Sequence, residues 1–381
     1  MTEKEVGELR RQLRPDRSAI TKLHGCYVNV NREIIATFEQ SAGLLTEEEN
    51  LQYTTLLKKS LSGRLGRNLI DLEFATEQVA HGEHHKLLMD LRETHLEDPE
   101  LLQTFYQRII DALHLEDNYL ILIAHNTYDV PFRGKDDQRQ GDNSTETFSY
   151  LLCSICPVKQ AKSGLGYDHT DKRFHTSAGD WLAAPPEMGF LFPAFDHRST
   201  NLYNALYYTK SANIDQGFLE AVFHLSAPMS ALEQKETFQE VLSALEEECS
   251  LEVVQTVNDQ LREMMAAHKE AKIAEPLLVS RRDIETALED CDVSEEALEV
   301  FQHTFDRAFG PEGEVPPANL IEAKTLEVRT PDVVIKAPGD SDLVSTRVID
   351  GVKYILVRAE GEVTVNGVVV HLDHAAEPVG V

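Results

Sequence analysis

The 381-residue sequence predicts an α+β protein: a mixed sheet with flanking helices, then a helical segment, then a small C-terminal β unit. Three observations carry this. Helix-capping signals open amphipathic stretches in the first 115 residues. Short continuous apolar runs, of buried-strand length, follow between residues 119 and 208. Beyond a Pro/Gly-rich stretch, Asp350-Gly351 and Asn366-Gly367 punctuate alternating strand-length segments, and glycine accepts the positive φ that tight hairpins require. Helices before strands, and helices again after them, place the first region in the α+β class.

Residues 3–13 form a first helix that ends at Arg14-Pro15, and 20–30 a strand. Thr46-Glu-Glu-Glu49 is a capping box ahead of the stripe Tyr53, Leu56, Leu57 and Leu61. Asp98-Pro99 supplies an N-cap and a proline at the first helical position, before Leu102, Phe105, Tyr106, Ile109, Ile110 and Leu113 on one face. Tyr119–Ala124, Phe148–Cys156, Phe190–Phe195 and Leu202–Tyr208 are the buried strands, and the polar stretch 133–145 between the first two is a loop or insertion. Ser230-Ala-Leu-Glu233 caps a helical stretch, and further helices follow Ser280 and Ser294. Strands at 326–335, 344–349, 353–358 and 363–370 close the chain. The expected domains are 1–228 (α+β), 229–309 (helical) and 318–374 (β meander), with 310–317 as linker.

Composition narrows the function classes. A hydrophobic content of 42% with 27% charged residues is that of a globular protein. Neither a membrane-length apolar run nor a signal-peptide profile is present, so the expected location is the cytoplasm. A net charge of −29 repels nucleic acid and anionic membranes, leaving a protein partner or a homo-oligomer as the expected company. Five cysteines without a secretion signal argue against a disulfide framework.

Three residue groups invite chemistry. Cys153, Cys156, His169 and His175 read C-x2-C-x12-H-x5-H, the ligand count and spacing of a structural zinc site. The stretch between Cys156 and His169 lacks the apolar residues of a finger core, and an extended chain sends Cys153 and Cys156 to opposite faces. Coincidence is therefore the preferred reading, and no cofactor is expected beyond that candidate zinc. A redox C-x-x-C is disfavoured because both thiols sit in an apolar run. Asp168, His169 and Asp171, with Asp196, His197 and Arg198, lie in loops beside aromatic strands. Aspartates and histidines there could hold a divalent metal and Arg198 could clamp a phosphate or carboxylate, which a hydrolase or phosphoryl-transfer enzyme would need. A hydrophilic hairpin with Asp196 bonded to its own backbone is the simpler explanation. Lys58, Lys59, Gly63, Arg64, Gly66 and Arg67 form a basic G-x-x-G turn of the kind that clamps an RNA backbone or a phosphate, with a tight structural turn as its plain alternative. His81 and His85 share a helical face without an accompanying H-E-x-x-H motif. No P-loop, nucleophile elbow or dinucleotide-binding turn occurs.

Gly25-Cys-Tyr-Val28, Leu151-Leu-Cys-Ser-Ile-Cys-Pro-Val158, Gly189-Phe-Leu-Phe-Pro-Ala-Phe195 with Arg198-Ser-Thr200, Thr330-Pro-Asp-Val-Val-Ile335 and Arg347-Val-Ile-Asp-Gly351 together resemble an uncharacterised bacterial domain-of-unknown-function family of about this length. The resemblance spans nearly the whole chain and implies a bacterial cytoplasmic protein. It brings no catalytic residues, and the family pattern it implies includes the two cysteines but no histidines matching His169 and His175. The leading expectation is a non-enzymatic binding or assembly protein, with the enzyme and the RNA- or phosphate-binding readings as alternatives.

Overall fold

The computed structural model describes residues 1–370 except 15, 134–138, 163, 169–171, 178, 212, 272, 274, 340–342, 360 and 366. It has two compact units, Met1–Gln234 with Ile273–Pro276, and Lys235–Lys272 with the described residues from Leu277 onward.

The first unit opens with α1 (Glu3–Gln12), whose N-cap Thr2 and Glu5 form a reciprocal capping box. A hairpin of β1 (Lys22–Val28) and β2 (Ile34–Ser41) follows, then α2 (Glu47–Lys59), started by the Thr46/Glu49 box that its sequence announces. Next come β3 (Leu69–Glu73), α3 (Thr76–His81), α4 (Glu83–Glu93) and α5 (Pro99–Ala112), the last capped by Asp98. The long strands β4 (Asn118–Arg133) and β5 (Arg139–Gln160) lead to β6 (Gly164–Asp168), β7 (Arg173–Ser177), β8 (Trp181–Ala183) and β9 (Met188–Phe192). β10 (Ala194–Asp196), β11 (Ser199–Asn201), β12 (Asn204–Thr209) and α6 (Gln216–Phe223) complete it.

The main sheet runs β2-β1-β4-β5-β9-β12-β3, with β8 also paired to β5. Its pairings are antiparallel and the mixing lies in strand order, since β1 neighbours β4 and β12 closes on β3. Helices cover both faces. Leu151, Cys153 and Ile155 of β5 join one core with α4, α5 and α6, while Tyr150, Leu152 and Cys156 join the other with α1 and α2. This double burial is why the central strands read as unbroken apolar runs instead of alternating ones. Gly189 matters here, because a Cβ would meet the Cys153 carbonyl oxygen and the hydroxyl of Ser60, which hydrogen-bonds Ser154 at 2.7 Å.

The stretch expected as a loop at 133–145 is different. Residues 139–145 continue β5 and pair with β4 as far as Arg133, with register shifts around Pro131. Strand pairing is made by the backbone, so a polar sequence can support it.

In the second unit, α7 (Ala231–Ser243), within which the division between units falls, precedes α8 (Leu251–Ala271), α9 (Arg281–Glu289), α10 (Glu295–Phe309) and α11 (Pro317–Leu320). Phe238, Val241, Val257, Leu261, Ile284, Leu288, Phe301 and Phe305 build its core. Val279 and Val315 exchange two backbone hydrogen bonds of 2.9 and 3.0 Å, and Val315 is buried, so the stretch after α10 is tied to the helices. Three hairpins end the unit: β13 (Thr325–Arg329) with β14 (Val334–Pro338), β15 (Val344–Ile349) with β16 (Val352–Val357), and β17 (Val363–Val365) with β18 (Val368–Val370). The segment 326–335, read from sequence as one strand, is split by a turn in which the Thr330 N–H donates to the Val333 carbonyl. Among the described residues no helix is long and apolar enough to cross a membrane.

Candidate functional site

Cys153 and Cys156 are fully buried on opposite faces of β5, one in each core of the main sheet. One ion cannot reach both sulfurs while the strand stays extended. His169 lies outside the described residues, and His175 is in β7. Burial also opposes the thiolate form, pushing Cys156 up to about 12, Cys26 to about 11 and Cys153 well above its usual range. A thiol reagent near neutral pH should therefore label at most the half-buried Cys249 and Cys291 in the native protein and all five cysteines after denaturation. Native-state labelling of Cys153 or Cys156 would contradict their placement.

The Asp/His/Arg residues divide between the two ends of β5. Asp196-His197-Arg198-Ser199 turns β10 into β11, with His197 and Arg198 at φ 48° and 59°, the signature of a two-residue type I′ turn. Ser199 Oγ donates to Glu146 at 2.9 Å, which fixes this turn beside the early part of β5. Asp168 ends β6, which starts four residues beyond the other end of β5 at Gln160. From Glu146 to Gln160 an extended strand covers about 46 Å, whereas eight residues from Gln160 reach at most about 29 Å. Asp168 and Arg198 are thus kept apart, and His169 and Asp171 lie outside the described residues.

Arg198 is already committed. Its guanidinium grips Glu8 of α1 bidentately, Nη2 to Oε1 at 2.9 Å and Nε to Oε2 at 3.3 Å, and donates from Nη2 to the Pro131 carbonyl at 3.0 Å. Its backbone N–H donates to Glu5 at 3.1 Å, and Tyr128 donates its hydroxyl to Glu8 at 2.6 Å. Glu5 and Glu8 are both buried. Burial and that carboxylate push the Tyr128 hydroxyl up to about 12. Asp196 accepts from the His197 N–H at 3.1 Å, closing its own turn. The group fastens α1 to the sheet. Sequence reasoning missed Glu5 and Glu8, although two acids on the helical face that also carries Val6 and Leu9 were a visible signal.

The basic turn follows α2 and leads into β3, not into a helix. Gly63 and Gly66 have φ of 104° and 74°. The N–H groups that would cradle a phosphate already donate: Gly66 to the Leu69 carbonyl, Asn68 and Leu69 to the Arg64 carbonyl, and Leu65 to the Glu3 carboxylate. The histidines scatter too. His85 is buried with Nε2 2.9 Å from the Leu202 carbonyl, whereas His84 stacks on His224. Among the described residues no three His, Cys, Asp or Glu side chains form a group that could hold a metal ion.

Two features of the second unit remain. A cavity of about 590 Å³ has Phe238, Leu242, Ile321 and Leu326 as its floor, and its rim charges pair with each other, Lys235 with Glu322 and Lys336 with Glu327. The hairpins beyond it are open. In β15–β16, Val348 is 67% exposed, Val352 53% and Val357 56%, and in β17–β18 Val368 is 65% exposed. The cross-strand register puts Val344, Thr346, Val348, Lys353, Ile355 and Val357 on one face and Ser345, Arg347, Ile349, Val352, Tyr354 and Leu356 on the other, so each face carries four apolar side chains beside two polar ones. The sequence carried this signal as Val352-Lys-Tyr-Ile-Leu-Val357, which lacks the apolar/polar alternation of a half-buried strand.

No curated protein matches the chain. One family model does, that of a domain of unknown function, DUF4317, over residues 1–368, which reaches from the first unit through the second as far as the first residue of β18. The chain belongs to the DUF4317 family.

Proposed function

We propose that this DUF4317 member is a non-enzymatic binding or assembly protein and that the hairpins of 344–370 are its contact surface. The observation that carries the reading is β15–β16, a two-stranded ribbon with apolar side chains exposed on both faces. Isolated two-stranded ribbons are marginal in water, and an exposed strand edge is a ready template for another strand. A clustered apolar surface of this kind marks an interaction site. Strand addition supplies affinity through backbone hydrogen bonds, and apolar side chains on the faces supply selectivity.

The other two readings have less support. The Arg198 guanidinium is engaged with Glu8, and Asp168 is out of its reach. The N–H groups of Arg64, Leu65, Gly66 and Arg67 in the basic turn have partners within the chain. Amine-reactive cross-linking in cells that make the protein, read by mass spectrometry, should give inter-protein links at Lys353 in preference to Lys58 and Lys59. Absence of such links from Lys353, with links elsewhere, would remove the hairpins as the contact surface.

A further inference from the structure

We infer that the partner is a second copy of this chain, joined through the β16 edge to make a four-stranded antiparallel sheet about a twofold axis. This rests on the binding reading above and names its occupant.

Asp350 and Gly351, at φ 50° and 79°, make a two-residue type I′ turn closed by the pair Ile349/Val352. Antiparallel pairing alternates from there, so Val352, Tyr354 and Leu356 bond to β15 while Lys353, Ile355 and Val357 aim N–H and C=O outward. Two contacts agree with that phase. The Arg358 N–H donates to the Leu343 carbonyl at 2.7 Å, one step further along the hydrogen-bonded series. The Val344 carbonyl, outward on the opposite edge, accepts from Gln255 of α8 at 3.4 Å. The β15 edge is thus already engaged at its start, where Val344 is buried, whereas every residue of β16 is exposed or half-exposed.

The β16 edge is complementary to itself. With Ile355 opposite Ile355 of the second copy, all three outward residues pair: Lys353 meets Val357, and Val357 meets Lys353. Tyr354 then lies opposite Leu356 on the other face. No like charges are opposed, and the pairs are apolar or aliphatic–cationic. A twofold contact of this kind closes on itself and does not propagate.

Charge selects a second copy as well. Two chains of net −29 repel wherever their acidic surfaces meet, but residues 323–370 hold six basic and seven acidic side chains. This near-neutral tract is where two such chains can approach without that repulsion. Nucleic acid and anionic membranes are repelled by the rest of the chain.

The test is sedimentation of the full-length protein across the micromolar range. The wild type should show twice the chain mass. Val357→Lys opposes two lysines at each end of the interface and should weaken the dimer at least about tenfold. Val357 is exposed in the single chain, so its fold should be unaffected. Lys353→Glu added to Val357→Lys should restore the dimer by pairing opposite charges. Ile355→Pro removes an outward N–H while leaving the hairpin's own ladder, and should also weaken it. A monomeric wild type, or a dimer indifferent to both Val357→Lys and Ile355→Pro, overturns the proposal. Persistent inter-protein links at Lys353 in cells would then leave the binding reading standing with a different partner, and their loss would remove both.

Discussion

Arg198→Met should lower the melting temperature of the first unit by about 10 °C, because it takes from the buried Glu8 the guanidinium that grips it bidentately. Breaking one side of a buried pair costs about 3–5 kcal/mol, and a unit of this size loses roughly 2–4 °C per kcal/mol. The Arg198 side chain is 22% exposed and that of Glu8 only 9%, so water compensates little. Glu8 would keep the Tyr128 hydroxyl among its partners, which places the effect nearer the lower figure. The companion variant Glu8→Gln with Arg198→Met removes both charges and should recover more than half of the loss, because a neutral amide does not carry the desolvation cost of a buried carboxylate. Calorimetry on the three proteins decides the matter. If the single substitution shifts the transition by less than a degree, the pair does not fasten α1 to the sheet.

Acidification should destabilise the protein through His125. The ring is half-buried on β4, hydrogen-bonds Ser149 Oγ at 2.8 Å and stacks on His95 with centroids 4.3 Å apart. Burial, then the proximity of His95 and Arg92, push its pKa down from 6.5 to about 4. The unfolded chain therefore takes up a proton at higher pH than the folded one. The contribution is fully present above pH 6.5 and is lost as pH falls towards 4, beyond which it no longer changes. Between pH 7.5 and pH 5 this single group should cost about 2 kcal/mol. Burial lowers His24 and His84 in the same direction, so the diagnostic quantity is a difference. Urea midpoints of wild type and His125→Gln should diverge on the alkaline side and converge towards pH 5. Parallel pH profiles would show that His125 keeps its proton equilibrium on folding.

Much of what depended on neighbours within a few residues was legible in the chain, though the Thr2/Glu5 box and the Thr330–Val333 turn were not read from it. The boxes at Thr46/Glu49 and Ser230/Glu233 and the Asp98 cap start helices because a cap acts over three residues. The Asp350-Gly351 turn forms where left-handed backbone is cheap. Opposed faces for Cys153 and Cys156 followed from the two-residue period of a strand, and the structure has them so. The hairpin β1–β2 and the extension of β5 through 139–145 were not legible, since their pairing is stabilised by partners far along the chain and not by local pattern.

The candidate site divides along the same line. Arg198 was readable as a clamp for a phosphate or carboxylate, but the carboxylates it meets, Glu8 at a separation of 190 residues and Glu5 at 193, come to it only once α1 lies against the sheet. The G-x-x-G turn was readable as basic and glycine-rich, but the occupation of its N–H groups depends on where the Leu69 carbonyl and Glu3 come to rest. Sequence alone could name β15 and β16 and the Asp350-Gly351 turn between them, while the turn that splits 326–335 escaped it. Whether their apolar faces are covered is a property of packing, and here the fold leaves those of β15–β16 open. Turn and cap chemistry is short-ranged and therefore written locally, whereas burial is a sum over the whole fold and is decided only when the chain has closed on itself.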